Sequence, residues 1–267
     1  QVVGKSTIIG HYYHAFLYDG TTMKDLGTLG GSDSEAYDIN DRGQVVGRSR
    51  YSNSSYYHAF LYDGTTMKDL GPGPIEGDDT RATGINDSGQ IAMFSYPNFN
   101  DAFLYDGTSM KDIGSLGGRW SSAYGINASG QVVGISTYNN DGTGNWHPFL
   151  YDGTSMKDLG TLGGDSSIAS SINDSGQIVG NSRLALGDKT SHAILYEDTT
   201  MYDLNDLIAP DSGFELTWAA DINSSGQIVG SGDFEGEIHA FLATPIPEPA
   251  SLLLLGLGGL ALRRRKA

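Results

Sequence analysis

The chain has 267 residues, with 38 Gly, 15 Tyr, no Cys and a formal charge of −16. The lack of Cys excludes disulfides, thiolate metal sites and cysteine nucleophiles. Four of the 16 Lys and Arg sit together at 263–266, which leaves 12 cations against 32 acids in the body; such a body repels nucleic acid and anionic lipid, leaving cations, basic proteins and neutral sugars as partners.

The chain opens on Gln1-Val2-Val3-Gly4, and a GQ[IV]VG-like segment returns with its Gln at Gln44, Gln90, Gln131, Gln177 and Gln227. An Ile-Asn pair precedes each return, from Ile39-Asn40 to Ile222-Asn223. A second landmark, HAFLYDGTTMKDLGTLGG from His14 to Gly31, comes back from His58, Asp101, His147, His192 and His239 with growing variation. A period of about 45 residues marks a repeat architecture.

Each unit reads as four short strands. The first ends in the Ile-Asn pair, and a turn such as Asn86-Asp87-Ser88-Gly89 follows, rich in residues that accept positive φ or bond their own backbone. GQ[IV]VG is the second strand, and a connector of variable length leads to HAFLY, the third. Asp-Gly-Thr-Thr or Asp-Gly-Thr-Ser then turns tightly into the fourth, Met-Lys-Asp-Leu-Gly. In the third strand Phe16 and Tyr18 point one way, Ala15 and Leu17 the other. Both faces are therefore apolar, as in a sheet held between neighbours. Lys24, Lys68, Lys111 and Lys157 on the fourth strand suit an outer edge that must not pair with other edges.

No stretch before residue 245 combines a 3.6-residue period with helix caps. The expected fold is all-β: a β-propeller of four-stranded repeats over residues 1–243, with about six blades. A β-solenoid is the alternative, although stacked coils keep shorter and stricter periods. The first unit supplies strands two to four and the last supplies strands one to three. That arrangement predicts strands of the fourth and first type upstream of Gln1, and the C-terminal tail implies an export signal there as well.

Residues 244–267 read as a separate tail. Pro245, Pro247 and Pro249 end the sheet. Ala250 to Leu262 is a run of 13 residues whose one polar side chain is Ser251, read as a hydrophobic helix shorter than the roughly 20 residues of a full span. Arg263, Arg264, Arg265 and Lys266 would stay on the cytoplasmic side and leave the β-domain outside.

Pro247-Glu248-Pro249, the apolar run and the Arg cluster, in that order, resemble the PEP-CTERM sorting signal. The resemblance implies export in a Gram-negative bacterium, transient membrane anchoring through the helix, and cleavage near Pro-Glu-Pro by an exosortase-type enzyme. It also implies a setting of extracellular polysaccharide or biofilm. The repeats resemble those of HAF-repeat extracellular proteins, through the motif at 14–16, 58–60 and 239–241. Asp101, His147-Pro148-Phe149 and His192-Ala193-Ile194 depart from that motif. No enzymatic role follows from the likeness, but an extracellular address does.

Candidate chemistry is sparse. Five of the six His occupy one place in successive repeats, which puts them in different blades and favours a bond to a turn or a neighbouring strand. The recurring Asp19, Asp63, Asp106 and Asp152, and Asn40, Asn86, Asn127, Asn173 and Asn223, read as turn formers. Asn139, Asp141 and Asn145 form an oxygen-rich, Gly-broken segment that is a weak calcium candidate. Aromatic residues gather in the variable loops: Tyr56, Tyr57, Tyr96, Tyr138 and Trp146, with Trp120 between blades. Such rings suit stacking on sugars or contact with proteins. The expectation is a non-catalytic exported protein whose loops bind exopolysaccharide or a surface protein. A polysaccharide lyase or hydrolase, and a calcium-dependent adhesin, are the alternatives.

Overall fold

The computed structural model describes residues 1–245, apart from 9, 11, 53, 72–76, 97–100, 139–144 and 188. Pro247, Glu248, Pro249, Arg263, Arg264, Arg265 and the tail helix therefore lie outside the described residues, as do His11, Asn139 and Asp141.

Six antiparallel sheets follow one another along the chain, each a meander in sequence order. Blade one holds β1 (Val2–Thr7), β2 (Tyr13–Tyr18) and β3 (Met23–Asp25). Blade two holds β4 (Gly30–Ile39), β5 (Val45–Tyr51), β6 (Tyr57–Tyr62) and β7 (Met67–Asp69). In blade three come β8 (Asp79–Ile85), β9 (Ile91–Tyr96), β10 (Ala102–Tyr105) and β11 (Met110–Asp112). Blade four has β12 (Gly117–Ile126), β13 (Val132–Tyr138), β14 (Trp146–Tyr151) and β15 (Met156–Asp158). Blade five has β16 (Ser167–Ile172), β17 (Ile178–Arg183), β18 (Ser191–Glu197) and β19 (Thr200–Asp203). Blade six ends the described chain with β20 (Phe214–Ile222), β21 (Ile228–Phe234) and β22 (Glu237–Ala243). Among the described residues the helical content is one 3-10 turn, Leu204–Asp206, and no helix is long and apolar enough to cross a membrane.

This is the β-propeller that the repeat predicts, with the core between blades rather than within them. Every buried apolar cluster joins two consecutive blades. Ala15 and Leu26 of blade one meet Ala36, Val45, Phe60 and Tyr62 of blade two. Val46 and Ala59 of blade two meet Ile91, Met93 and Phe103 of blade three. The same junction recurs from blade three to four, four to five and five to six. The two faces of HAFLY thus serve two different interfaces.

Polar side chains fasten each junction. The third-strand Ala N–H donates to a hydroxyl on the next blade's inner strand: Ala15 to Ser34 at 2.8 Å, Ala59 to Thr80 at 2.8 Å and Ala102 to Ser121 at 3.0 Å. Pro148 has no N–H to give, and there the Ser167 hydroxyl donates to the Asn181 carbonyl instead. Around the inner ring runs a chain of amides. Asn40 Nδ2 donates to the Asn86 carbonyl at 3.1 Å, Asn86 to Asn127 at 3.0 Å, Asn127 to Asn173 at 3.3 Å and Asn173 to Asn223 at 3.0 Å. Each Asn Oδ1 also accepts two backbone N–H groups of its own hairpin, as Asn127 does from Ser129 and Gln131.

Two details differ from the sequence reading. The fourth strand is shorter than expected, because its Asp turns the chain away: Asp25, Asp69, Asp112 and Asp158 each accept the N–H two residues on. The Gly-Gly that follows opens β4 and β12, and the Leu before it is held by its N–H on a second-strand hydroxyl: Leu29 on Ser49, Leu116 on Ser136 and Leu162 on Ser182. The fourth-strand Lys do more than guard an edge. Lys24 donates to the Tyr62 hydroxyl of the next blade, and Lys68, Lys111 and Lys157 do the same to Tyr105, Tyr151 and Tyr196.

Asn127 is buried, so Asn127→Ala leaves several backbone groups without partners. At about 1–3 kcal/mol for the buried groups together, it should lower the urea midpoint clearly, whereas Ala128→Ser in the same turn should not. Equal midpoints for the two variants would show that the amide ring is not holding the blades.

Candidate functional site

The inner strands surround a central cavity, and a shared irregularity shapes its wall. Each inner strand carries a bulge between the repeat Ala and the residue two positions on: Ala36/Asp38, Ala82/Gly84, Ala123/Gly125, Ala169/Ser171 and Ala219/Asp221. A bulge leaves one residue unpaired and re-aims its side chain. Tyr37, Thr83, Tyr124, Ser170 and Ala220 are those residues, and they line a cavity of about 340 Å³ with Asp38 and Asp221. In four of these five blades the Gly that closes GQ[IV]VG lies against the bulged strand, while blade three bulges with Met93 in that place. A Cβ on Gly134 would lie 2.0 Å from the Ser122 carbonyl oxygen, and Gly47, Gly180 and Gly230 are as tightly met.

Asp38 accepts from the N–H groups of Ile39 and, in the next blade, Ile85, both at 2.8 Å. Asp221 accepts from the Ser171 hydroxyl at 2.6 Å and from Ile222 N–H at 2.9 Å. Burial pushes the Asp38 carboxyl up to about 6, against the two backbone bonds, and the Asp221 carboxylate pushes the same way.

On the loop side, the mouth of this cavity has two walls. Across blades two to four, Arg48 donates to Glu35 and to the Tyr96 hydroxyl, both at 3.0 Å. Its guanidinium lies 4.3 Å from the centre of the Tyr57 ring. Arg81 donates to the same Tyr96 hydroxyl at 2.5 Å and stacks over the Tyr96 ring at 4.5 Å. Phe94 meets Tyr124 edge-on. Burial would raise the Glu35 carboxyl, yet hydrogen bonds from Tyr37, Arg48 and Lys5 hold it at about 2. Burial raises the Tyr37 and Tyr124 hydroxyls, so both stay protonated donors.

The second wall lies in blades five and six. Trp218 donates through Nε1 to the Ser170 hydroxyl at 3.0 Å, and its ring remains 47% exposed. Together with Tyr124, Ile168, Asn181 and Ala220 it borders a cavity of about 460 Å³. The opposite mouth, on the side of the tight turns, is edged by Asp41, Asp87 and Asp174. There Asp87 accepts from Asp41 N–H and Asp174 from Ala128 N–H.

The loop aromatics chosen from sequence do not gather at one point. Tyr56 and Tyr57 belong to blade two, Tyr96 to blade three, and Trp120, Tyr138 and Trp146 to blade four. Tyr96 reaches the mouth. Tyr57 packs beneath Arg48 and Arg50, Trp120 stacks on Trp146, and Tyr138 on His147; Tyr56 stays exposed. The Asn145 backbone carbonyl accepts from Tyr138 N–H. Sequence reasoning missed Tyr37, Tyr124, Trp218, Arg48 and Arg81, which lie on strands. The available signal was their departure from the repeat, since Thr83, Ser170 and Ala220 hold the places of Tyr37 and Tyr124.

Four of the five repeated His tie strands within their blades, while His239 meets Phe234 edge-on. His14, His58, His147 and His192 pair through Nδ1 with Asp25, Asp69, Asp158 and Asp203 of the adjoining fourth strand. In blade three Asp101 takes the place of His. Burial pushes its carboxyl up, and Asp112 and Asp78 add to that.

Comparison with known proteins gives three findings. Residues 120–240 match a family described as a protein of unknown function (DUF3466), and residues 245–266 match the PEP-CTERM protein-sorting motif. The fold is similar to the beta-propeller domain of the Trilobed protease from Pyrococcus furiosus, described as having an open velcro topology. The TM-score is 0.56 at 9% identity, with 91% of this chain and 83% of that chain covered. No curated protein matches the chain. The sorting motif implies export and handling by exosortase-type machinery.

Asp38 binds its proton more tightly folded than unfolded, so its ionisation opposes folding. That penalty is absent below about pH 4 and develops as pH rises through about 6. Carboxyl-resolved NMR should show a midpoint near 6 that falls in Asp221→Asn. A midpoint near 4 in both proteins would remove this account. Glu35 acts in the opposite sense: its stabilisation is present above about pH 4.5 and is lost as pH falls towards 2.

Proposed function

We propose that the protein is a non-catalytic exported surface or matrix protein that binds an extracellular polysaccharide across its loop-side face. The single observation that carries this reading is the loop-side mouth. Aromatic rings, guanidinium groups and hydroxyls converge there at positions that break the repeat. Residues that obey the repeat, by contrast, are occupied in holding blades together. Aromatic faces beside hydrogen-bonding groups suit sugar rings, whose C–H faces stack and whose hydroxyls bond. The sorting motif supports an extracellular setting, and the likeness of the repeats to HAF-repeat extracellular proteins agrees with it. A surface protein is the second kind of partner that this face suits.

One observation favours an enzymatic reading. Asp38, held near 6, and Asp221 influence each other across the cavity, as an acid–base pair acting on polysaccharide must. Against it, both carboxylates already accept hydrogen bonds from the scaffold. Calcium-dependent adhesion through Asn139, Asp141 and Asn145 is a third reading.

Full-length protein should retain exopolysaccharide from its source bacterium in a pull-down. Arg81→Ala with Tyr124→Ala should lower that retention about tenfold, in line with the loss of one or two well-placed contacts. No retention, together with an intact matrix in a deletion strain, would sink the binding reading. Shortening of the polysaccharide that disappears in Asp38→Asn would replace it with the enzymatic one. A melting temperature that falls when calcium is chelated would favour the adhesin.

A further inference from the structure

We infer that the cavity between blades five and six is a subsite for one uncharged pyranose ring, with Trp218 as its platform and Asn181 as its hydroxyl reader. The inference rests on the glycan-binding reading above and deepens it. Four observations carry it.

The first is size and shape. At about 460 Å³ the cavity falls within the usual range for small-ligand sites, roughly 300–1,000 Å³. The second is a fixed aromatic face. Trp218 has nearly half its surface exposed, yet the bond from Nε1 to Ser170 Oγ sets the plane of its ring. An indole held in place loses little freedom when a sugar stacks on it.

The third is an unmet polar group. Asn181 lines the cavity, and its Oδ1 is buried with no hydrogen-bond partner among the described residues. Rotation about the last side-chain bond merely exchanges the two ends of the amide. One end lacks a partner either way, as an acceptor in one orientation and as a donor in the other. The buried end is closed to the cavity, so the opposite end of the amide is the one a ligand meets, and a hydroxyl, which both donates and accepts, suits it in either orientation.

The fourth observation is charge. Among the described residues bordering this cavity none is charged, and the whole chain carries −16. A uronate ring would lose hydration there with no cation to receive it. The arginines of the mouth, Arg48 and Arg81, stand at blades two and three and are engaged by Tyr96. An uncharged ring therefore fits this cavity and a carboxylated one does not.

The test uses the full chain carrying Trp120→Phe and Trp146→Phe, so that Trp218 alone reports by fluorescence. The probes are the methyl pyranosides of glucose, galactose and mannose, with glucuronate as the charged counterpart. At least one neutral pyranoside should shift the emission saturably at millimolar concentration. Asn181→Leu, close in volume but without polar atoms, should weaken that binding about fivefold or more. Glucuronate should bind more weakly than methyl glucoside by a similar factor. If Asn181→Leu does not fold, Asn181→Asp replaces it, with the same loss expected. No response to any neutral sugar, unchanged affinity on substitution at 181, or glucuronate binding as well as glucoside would each overturn the assignment. Retention of the native polysaccharide with Trp218 silent would overturn this subsite alone and leave the wider reading of the face standing. Loss of both would remove both.

Discussion

A blade of this protein cannot bury its own apolar surface, and everything else in the structure follows from that constraint. A single four-stranded sheet has two faces and no interior. Here Ala59 and Val46 look towards blade three while Phe60 and Tyr62 look towards blade one. The hydrophobic gain is realised only when blades meet. Apolar contact is non-directional, however, and would tolerate sliding. The amide chain from Asn40 to Asn223 removes that freedom, since each donor reaches one carbonyl on the next hairpin. The hydroxyls of Ser34, Thr80 and Ser121 set the same register farther along the inner strands. The Lys-to-Tyr bonds fix it at the rim.

This division of labour explains why the repeat is so visible and so uninformative about function. His, Asp, Asn, Gln, Lys and Tyr are the residue types from which active sites are commonly built. In this chain their recurrence reflects the recurrence of one interface. The His58–Asp69 pair has the composition of a catalytic dyad, but it ties the third strand of a blade to the fourth, and its copies lie in other blades. Chemistry directed at a ligand has to come from positions that the interface leaves free. Those are the bulge residues and the layer just above them, where Tyr37, Arg48, Arg81, Tyr124 and Trp218 stand at three repeat positions that the other blades fill with unlike residues.

The fold was legible because its signals are local and repeated. Asn-Asp-Ser-Gly and Asp-Gly-Thr-Thr dictate their turns through bonds within four residues, such as those that Asp19 accepts from Thr21 and Thr22. Alternation in HAFLY gives the two faces of the sheet. The site was less legible because it depends on a backbone irregularity. A bulge shifts the strand by one residue, and the side chain that strict alternation assigns to one face turns to the cavity instead. Tyr124 looks like a core tyrosine in the sequence and lines the channel in the structure. Gly134 was the clue, since a Gly inside an otherwise β-branched strand marks a close backbone approach. Loop aromatics, by contrast, were easy to see and are largely spent on local stacking, as Tyr138 is on His147.

Charge along the channel adds a constraint on what this face can hold. The turn-side mouth is acidic, with Asp41, Asp87 and Asp174, and Asp38 and Asp221 follow inside. Among the described residues that line the channel none is cationic; Arg48 and Arg81 stand in the loop-side layer, where Arg48 is already paired with Glu35. An anionic polymer would meet the repulsion of a net-negative body, which acts within a Debye length of about 8 Å, before finding Arg81. It would then have one guanidinium on one wall to rest on. An uncharged polymer meets no such barrier and finds two walls at once, the stacked arginines and tyrosines of blades two to four and the Trp218 cavity of blades five and six. On the proposed glycan-binding reading, the polymer lies across the mouth and meets both walls rather than threading down the channel towards the carboxylates.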